Sequence, residues 1–151
     1  MSKIVFIGGG NMASCLIGGM IANGTPSQQI LVSEPGEEAR QKLSDLHGVD
    51  TTADNQAAAG QADLLVLAVK PQITNIALSP LAHRVSTNAT VLSIIAGINS
   101  ASLANLLGLP NDDAVVRSMP NTPALIGQGA SGLYANQHAS NQQKVIAEQL
   151  L

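Results

Sequence analysis

Near the amino terminus, Gly8-Gly9-Gly10-Asn11-Met12-Ala13 sets two glycines and an alanine at the spacing G-x-G-x-x-A, which suits a backbone that must admit a phosphate group. Each small residue has its own steric task. Gly8 lets the chain turn sharply, Gly10 lets a pyrophosphate come against bare main chain, and Ala13 keeps the following helix close to the preceding strand. The phosphates would lie over the unpaired N–H groups of a helix's first turn, where aligned peptide dipoles favour negative charge. The plain alternative is a Gly-rich turn with no ligand, and the flanking residues weigh against it. Ile4-Val5-Phe6-Ile7 is an apolar run too short for a helix, and Met12 to Ala22 carries an apolar helical pattern closed by Asn23-Gly24. Strand, tight turn and helix in that order are the context a dinucleotide-binding fingerprint requires.

Further polar groups fall where such a site would need them. Ile30-Leu31-Val32 reads as a second strand ending at Ser33-Glu34-Pro35-Gly36, and in this architecture the tip of that strand meets the adenosine ribose. Ser33 stands where an acid binding a free 2′-hydroxyl often falls and would tolerate a 2′-phosphate. Glu34, if turned inward, would repel one, and as a solvated turn carboxylate would do neither. Asn55 either caps a short helix, which spacing favours, or turns its amide towards the adenine side of a cofactor. Ala62 to Val69 is a near-continuous apolar run, as a central parallel strand buried on both faces demands, and it stops at Lys70-Pro71. The ends of such strands carry the ligand crevice. Lys70 therefore either faces a phosphate or substrate carboxylate or is a solvated strand-end charge. Thr90 to Ile95 repeats the buried-strand pattern and ends at Ala96-Gly97, small enough to let a ligand lie close.

The elements that position these groups follow in order. Glu37 to Leu46 is an amphipathic surface helix closed by His47-Gly48, and Val49 to Thr52 is a short third strand. Asp54 or Asn55 caps a brief helix from Gln56 to Gly60. Gln72 to Arg84 is a helical connection broken at Ser79-Pro80. Ser100 is expected to cap a helix through Leu107, and Ala114 to Arg117 gives a further strand. Arg117-Ser118-Met119-Pro120-Asn121-Thr122-Pro123-Ala124 is a Pro-fixed loop presenting an amide and a hydroxyl. Gly132 to Ala135 is a last strand, and Ser140 caps a final helix.

Composition narrows the function classes. Forty-five per cent apolar content with one Phe, one Tyr and no Trp calls for a core of Leu, Ile, Val, Ala and Met. A net charge of −3 without a clustered basic face argues against nucleic acid. The longest apolar run, Leu64 to Val69, is far short of a membrane span, and the expected setting is the cytoplasm. Cys15 is the only cysteine, which excludes an intrachain disulfide and a thiolate metal cage, and it reads as a small packing residue. His47, His83 and His138 lack i, i+4 companions, read as surface residues, and suggest no metal site. No nucleophile elbow or Cys/His pair is present.

Four stretches together resemble the pyrroline-5-carboxylate reductases. They are Phe6 to Ala13, Ala68-Val69-Lys70-Pro71-Gln72, Ser93 to Ile98, and Arg117 to Ala124, and the likeness runs in order from Ile4 to about Tyr134. The resemblance implies an α/β, Rossmann-type doubly wound, mostly parallel sheet with helices on both faces. Residues 1–124 would form the dinucleotide-binding domain, with 125–151 the last strand and helix of the same domain. It implies hydride transfer from NADP(H) or NAD(H) to a small imino acid, 1-pyrroline-5-carboxylate, giving L-proline. The residues matching Ile7, Gly8, Gly9, Gly10, Asn11 and Met12 would hold the pyrophosphate, and Ser33 and Asn55 would lie along the adenosine. Ala68, Val69, Lys70, Pro71, Ala96 and Gly97 would border the nicotinamide and its ribose, and Asn121, Thr122 and Pro123 would complete that side. Hydride transfer needs a fixed ring face and a dry, small-walled crevice. The family also implies a carboxy-terminal helical domain that makes a homo-oligomer and the substrate pocket. That domain is expected to be absent from this chain, so the chain alone should turn over substrate negligibly. No catalytic residue is assigned. A β-hydroxyacid-dehydrogenase-like oxidoreductase is the rival enzyme reading, disfavoured because Met119 to Pro123 replaces its substrate loop. A dinucleotide-binding module without turnover is the rival from another class.

Overall fold

The computed structural model describes residues 2–110, 115–119 and 132–135, the last by backbone alone, together with positions 140, 141, 145 and 148. One sheet of seven strands runs in the order β3-β2-β1-β4-β5-β6-β7. Its strands are β1 Ile4–Ile7, β2 Ile30–Ser33, β3 Asp50–Thr52, β4 Leu64–Leu67, β5 Thr90–Ser93, β6 Val115–Met119 and β7 Gly132–Ala135. The first six are parallel, and β7 closes the edge antiparallel, with Tyr134 opposite Arg117. Chain order reverses between β1 and β4, which is the switch point where α/β sheets take ligands.

Side chains alternate between the two faces, as the strand period of two requires. Val5, Ile7, Leu65, Leu67, Val91 and Val115 point to one face, where Ala58 and Ala59 of α3 (Asn55–Ala59), Leu78 of α4 (Thr74–Leu78) and Leu103 of α5 (Ser100–Leu106) cover them. Ile4, Phe6, Leu64, Val66, Leu92 and Val116 point to the other, under Ala13, Leu16, Ile17 and Met20 of α1 (Asn11–Ala22) and Leu43 of α2 (Glu37–His47). Coverage on both sides is why β1, β2, β4 and β5 are buried at every position. Each large side chain so buried contributes roughly 1.5–3 kcal/mol. The absence of Trp and the single Phe leave thin layers that let α1 sit close to the sheet through Ala13, only 1% exposed.

The expected doubly wound sheet is borne out, and three local expectations are corrected. Asp54 caps α3, its Oδ1 accepting from the N–H groups of Gln56 and Ala57 at 3.0 Å each, whereas Asn55 is already helical. Likewise Asn99 caps α5 by accepting from Ser102 N–H at 2.8 Å, and Ser100 lies buried inside the helix. A cap needs extended backbone, and in each case the residue one place earlier has it, at φ −99° and −78°. His47 is not a simple surface residue: it is half-buried, its Nε2 sharing a hydrogen bond of 2.8 Å with Ser14 Oγ between α1 and α2, and burial lowers its pKa below 6.5. His83 is exposed as expected, at φ +61°, and its N–H donates to Leu107 O. His138 lies outside the described residues, as does most of the helix expected from Asn141.

The connection after β4 breaks where its prolines predict. A 3-10 turn at Pro71–Ile73 leads into α4, and another at Ser79–Leu81 contains Pro80. Cys15 is half-buried, its Sγ donates to Asn11 O at 2.8 Å, and burial raises its thiol pKa, which agrees with a packing role. Among the described residues no helix is long and apolar enough to cross a membrane, and no three His, Cys, Asp or Glu side chains gather as a metal site.

Candidate functional site

Parallel pairing brings the carboxyl ends of β2, β1 and β4 side by side, and the ladder runs on into the turns that follow them. Gly8 N–H donates to Ser33 O at 2.9 Å, Ala68 N–H to Ile7 O at 2.8 Å, and Glu34 N–H to Thr52 O at 2.9 Å. These bonds fix the floor of a crevice of about 670 Å³. Gly8, Gly9 and Gly10 enter it from β1, Ser33 and Glu34 from β2, and Ala68, Val69 and Lys70 from β4, while Asn55 borders it from the start of α3.

The three glycines are there for different reasons. Gly8 has φ +100°, and a Cβ on it would lie 2.8 Å from Ala68 O, a backbone atom that cannot rotate away. A Cβ on Gly9 would meet Leu43 Cδ1 at 2.6 Å and Glu34 Cβ at 3.1 Å, so Gly9 is small to let α2 and the tip of β2 close over the turn. Gly10 has an ordinary φ of −73° and nothing within 4 Å of its Cβ position. It opens α1 with no side-chain cap, which leaves the first-turn N–H groups to whatever occupies the crevice.

Glu34 is turned inward. Its Oε2 accepts from Gly9 N–H at 2.9 Å and its Oε1 from Gly36 N–H at 3.0 Å, which corrects the reading of a solvated turn carboxylate. Ser33 is fully buried, and its Oγ donates to Asn55 Oδ1 at 2.5 Å. Asn55 therefore serves the crevice wall and not the helix cap that its spacing favours. Lys70 is exposed at the rim and forms no ion pair with any described residue. Its carbonyl is engaged by Ile73 N–H and Thr74 Oγ1, which set the turn after β4.

Of the remaining sequence-based candidates, Asn11 borders a smaller neighbouring cavity of about 220 Å³ beside α1. Ile7 is buried beneath the floor and Met12 is half-buried in the first turn of α1. Pro71, Ala96 and Gly97 follow the ends of β4 and β5 along the same sheet edge, and none of these five borders either cavity. Asn121, Thr122 and Pro123 lie outside the described residues. Sequence reasoning missed the apolar wall made by Pro35, Ala39, Ile73, Ile76 and Ala77. Its signal was the exposed Ile73 and Ile76, three apart, 45% and 80% accessible. It also missed Lys42, which reaches the smaller cavity from α2.

A six-strand parallel arrangement with a glycine turn at its switch point defines a Rossmann-type nucleotide-binding domain. Residues 3–97 match the family described as NADP oxidoreductase coenzyme F420-dependent, and the chain belongs to that family. It is 48% identical over 149 residues to the pyrroline-5-carboxylate reductase of Pseudomonas aeruginosa, an alignment covering 99% of this chain and 54% of that protein. The solved pyrroline-5-carboxylate reductase of Coxiella burnetii superposes with a TM-score of 0.89 at 37% identity, over 99% of this chain and 55% of the other. That of Plasmodium falciparum, solved with NADP bound, gives 0.84 at 26% identity over 99% and 53%. The resemblance drawn from the four motif stretches is thereby shown. The chain spans about half the length of the curated relatives it matches.

Proposed function

We propose that this chain is the dinucleotide-binding portion of an enzyme that reduces 1-pyrroline-5-carboxylate to L-proline with NADPH or NADH. The observation that carries the reading is the glycine turn over the β1/β4 switch point, with Gly10 open and the first turn of α1 uncapped. The residues present fit a dinucleotide: uncapped N–H donors for a pyrophosphate, an inward carboxylate near the end of β2, and an apolar wall for an aromatic base. The cofactor, when bound, supplies the hydride that the C=N carbon accepts. This chain's part is to hold and orient it: Gly8 to Met12 at the pyrophosphate, Glu34, Ser33 and Asn55 along the adenosine, and Ala68 to Pro71 with Ala96-Gly97 towards the nicotinamide. Asn121, Thr122 and Pro123 belong to that last group by their place in the motif. Small residues after β4 and β5, Ala68 and Ala96-Gly97, leave room for the ring to lie close to the main chain.

We assign residues 1–124 to the dinucleotide-binding domain and 125–151 to its last strand and helix, which the antiparallel β7 supports. A cytoplasmic setting and a homo-oligomeric whole protein complete the proposal. The test is a chimaera in which this chain replaces the matching 149 residues of the Pseudomonas aeruginosa relative. Pyrroline-5-carboxylate-dependent oxidation of NADPH or NADH by the chimaera is the expected result. A folded chimaera that binds dinucleotide yet reduces no pyrroline-5-carboxylate overturns the substrate assignment.

A further inference from the structure

We propose that Glu34 makes this domain select NAD(H) over NADP(H), its carboxylate taking the adenosine ribose hydroxyls and excluding a 2′-phosphate; the inference rests on the dinucleotide reading above. The tip of β2 is where the ribose of a dinucleotide meets the protein. There the Glu34 carboxylate is held by two backbone donors, Gly9 N–H on Oε2 and Gly36 N–H on Oε1. An ionised carboxylate offers about four acceptor positions. Two are filled, and the two that remain suit a pair of adjacent hydroxyls.

The carboxylate is not free to swing aside. Glu34 packs against the bare face of Gly9, and its backbone is pinned from outside by Arg40, whose Nη1 donates to Glu34 O and Pro35 O at 2.8 Å each. Arg40 therefore holds the turn, and it is not among the residues bordering the crevice.

On the crevice wall at this end a 2′-phosphate would meet Glu34 and no cation, since Arg40 is engaged with Glu34 O and Pro35 O and Lys42 borders the smaller neighbouring cavity. The phosphate is an acceptor only, and against Glu34 it would meet like charge at close range. The one hydroxyl at the strand tip, that of Ser33, is fully buried and already donates to Asn55. Asn55 can offer only its neutral NH2. Lys70 follows β4, two strands across from β2, and adjacent strands lie about 4.8 Å apart, so its stem starts about 10 Å from the Glu34 strand.

The experiment is titration calorimetry of the 151-residue chain with NADH and with NADPH, for the natural sequence and for Glu34→Gln, with folding checked by circular dichroism. A competition arm compares 5′-AMP with adenosine 2′,5′-bisphosphate on the natural chain, so the outcome does not depend on the variant folding. The natural chain is expected to bind NADH at least about tenfold more tightly than NADPH, and Glu34→Gln to close that gap chiefly by strengthening NADPH. 5′-AMP should outcompete the bisphosphate. Equal or tighter binding of NADPH, or of the bisphosphate, overturns the inference and leaves the dinucleotide reading standing, as does a folded Glu34→Gln chain whose ratio is unchanged. No binding of either dinucleotide by the folded natural chain overturns both.

Discussion

Gly8 and Gly10 stand two residues apart in one motif, and the geometry assigns them opposite consequences when a methyl group is added. At Gly8 the backbone sits at φ +100°, where a side chain costs about 1–3 kcal/mol. The new Cβ would also press on Ala68 O at 2.8 Å and Ala68 C at 2.9 Å, and forced overpacking costs roughly 1–3 kcal/mol more. Domains of this size are stable by only about 5–15 kcal/mol and lose roughly 2–4 °C of Tm per kcal/mol. Gly8→Ala should therefore lower Tm by on the order of 10 °C or leave the chain unfolded. Gly10→Ala meets nothing within 4 Å at an ordinary φ, and as a cap substitution costs under about 1 kcal/mol. Its methyl group projects into the open side of the turn, where a pyrophosphate would have to lie. Dinucleotide affinity should fall at least about tenfold, or 1.4 kcal/mol, in a chain that melts almost as before. Thermal melts by circular dichroism and calorimetric titration with NADH, run on both variants, decide the matter. Two variants of equal stability would refute the steric account of Gly8. A folded Gly10→Ala chain with undiminished affinity would refute the cradle.

Other outcomes follow from named contacts. Lys70→Ala should weaken dinucleotide binding more at low ionic strength than at high, because an exposed cation acts on a phosphate through a screened field; affinity unchanged at low salt would leave Lys70 a solvated charge. Asp54→Ala should cost about 1 kcal/mol in urea unfolding, the usual worth of an N-cap. A loss of that size from Ser100→Ala and none from Asn99→Ala would contradict the assignment of the α5 cap. His47 is held below its ordinary 6.5 by burial, so the unfolded chain binds that proton more readily than the folded one. Its contribution is full above 6.5 and is lost as pH falls towards the depressed folded value, so His47→Gln should flatten the fall in stability on mild acidification. A stability profile that keeps its slope in the variant would place the titration elsewhere.

The sheet was legible because its signal is local and redundant. Each of β1, β2, β4 and β5 is a short apolar run ended by Gly, Pro or small polar residues, and burial on both faces leaves no alternation to confuse it with a surface strand. The glycine turn was legible for the same reason, since strand, turn and helix are contiguous. The α5 cap was misplaced by one residue and the α3 cap was left open between two, because Asp54 and Asn55, or Asn99 and Ser100, are equally good capping types and only the backbone angle chooses. His47 was misread because its partner Ser14 lies 33 residues away and depends on how α1 crosses α2.

Glu34 marks where reading by spacing stops. Its inward turn depends on two N–H groups, one from Gly36 two residues on and one from Gly9, which the β1–β2 register brings opposite the strand end from 25 residues away. No local pattern records the second donor. Once the register is known the choice follows, because Gly9 lacks the Cβ that would otherwise stand 3.1 Å from Glu34 Cβ and keep the carboxylate out. The middle glycine of the turn and the acid after β2 are thus one feature. Gly9 is glycine so that α2 and β2 can close on it, and that closure turns the Glu34 carboxylate into the crevice wall, where the proposed dinucleotide would place its ribose.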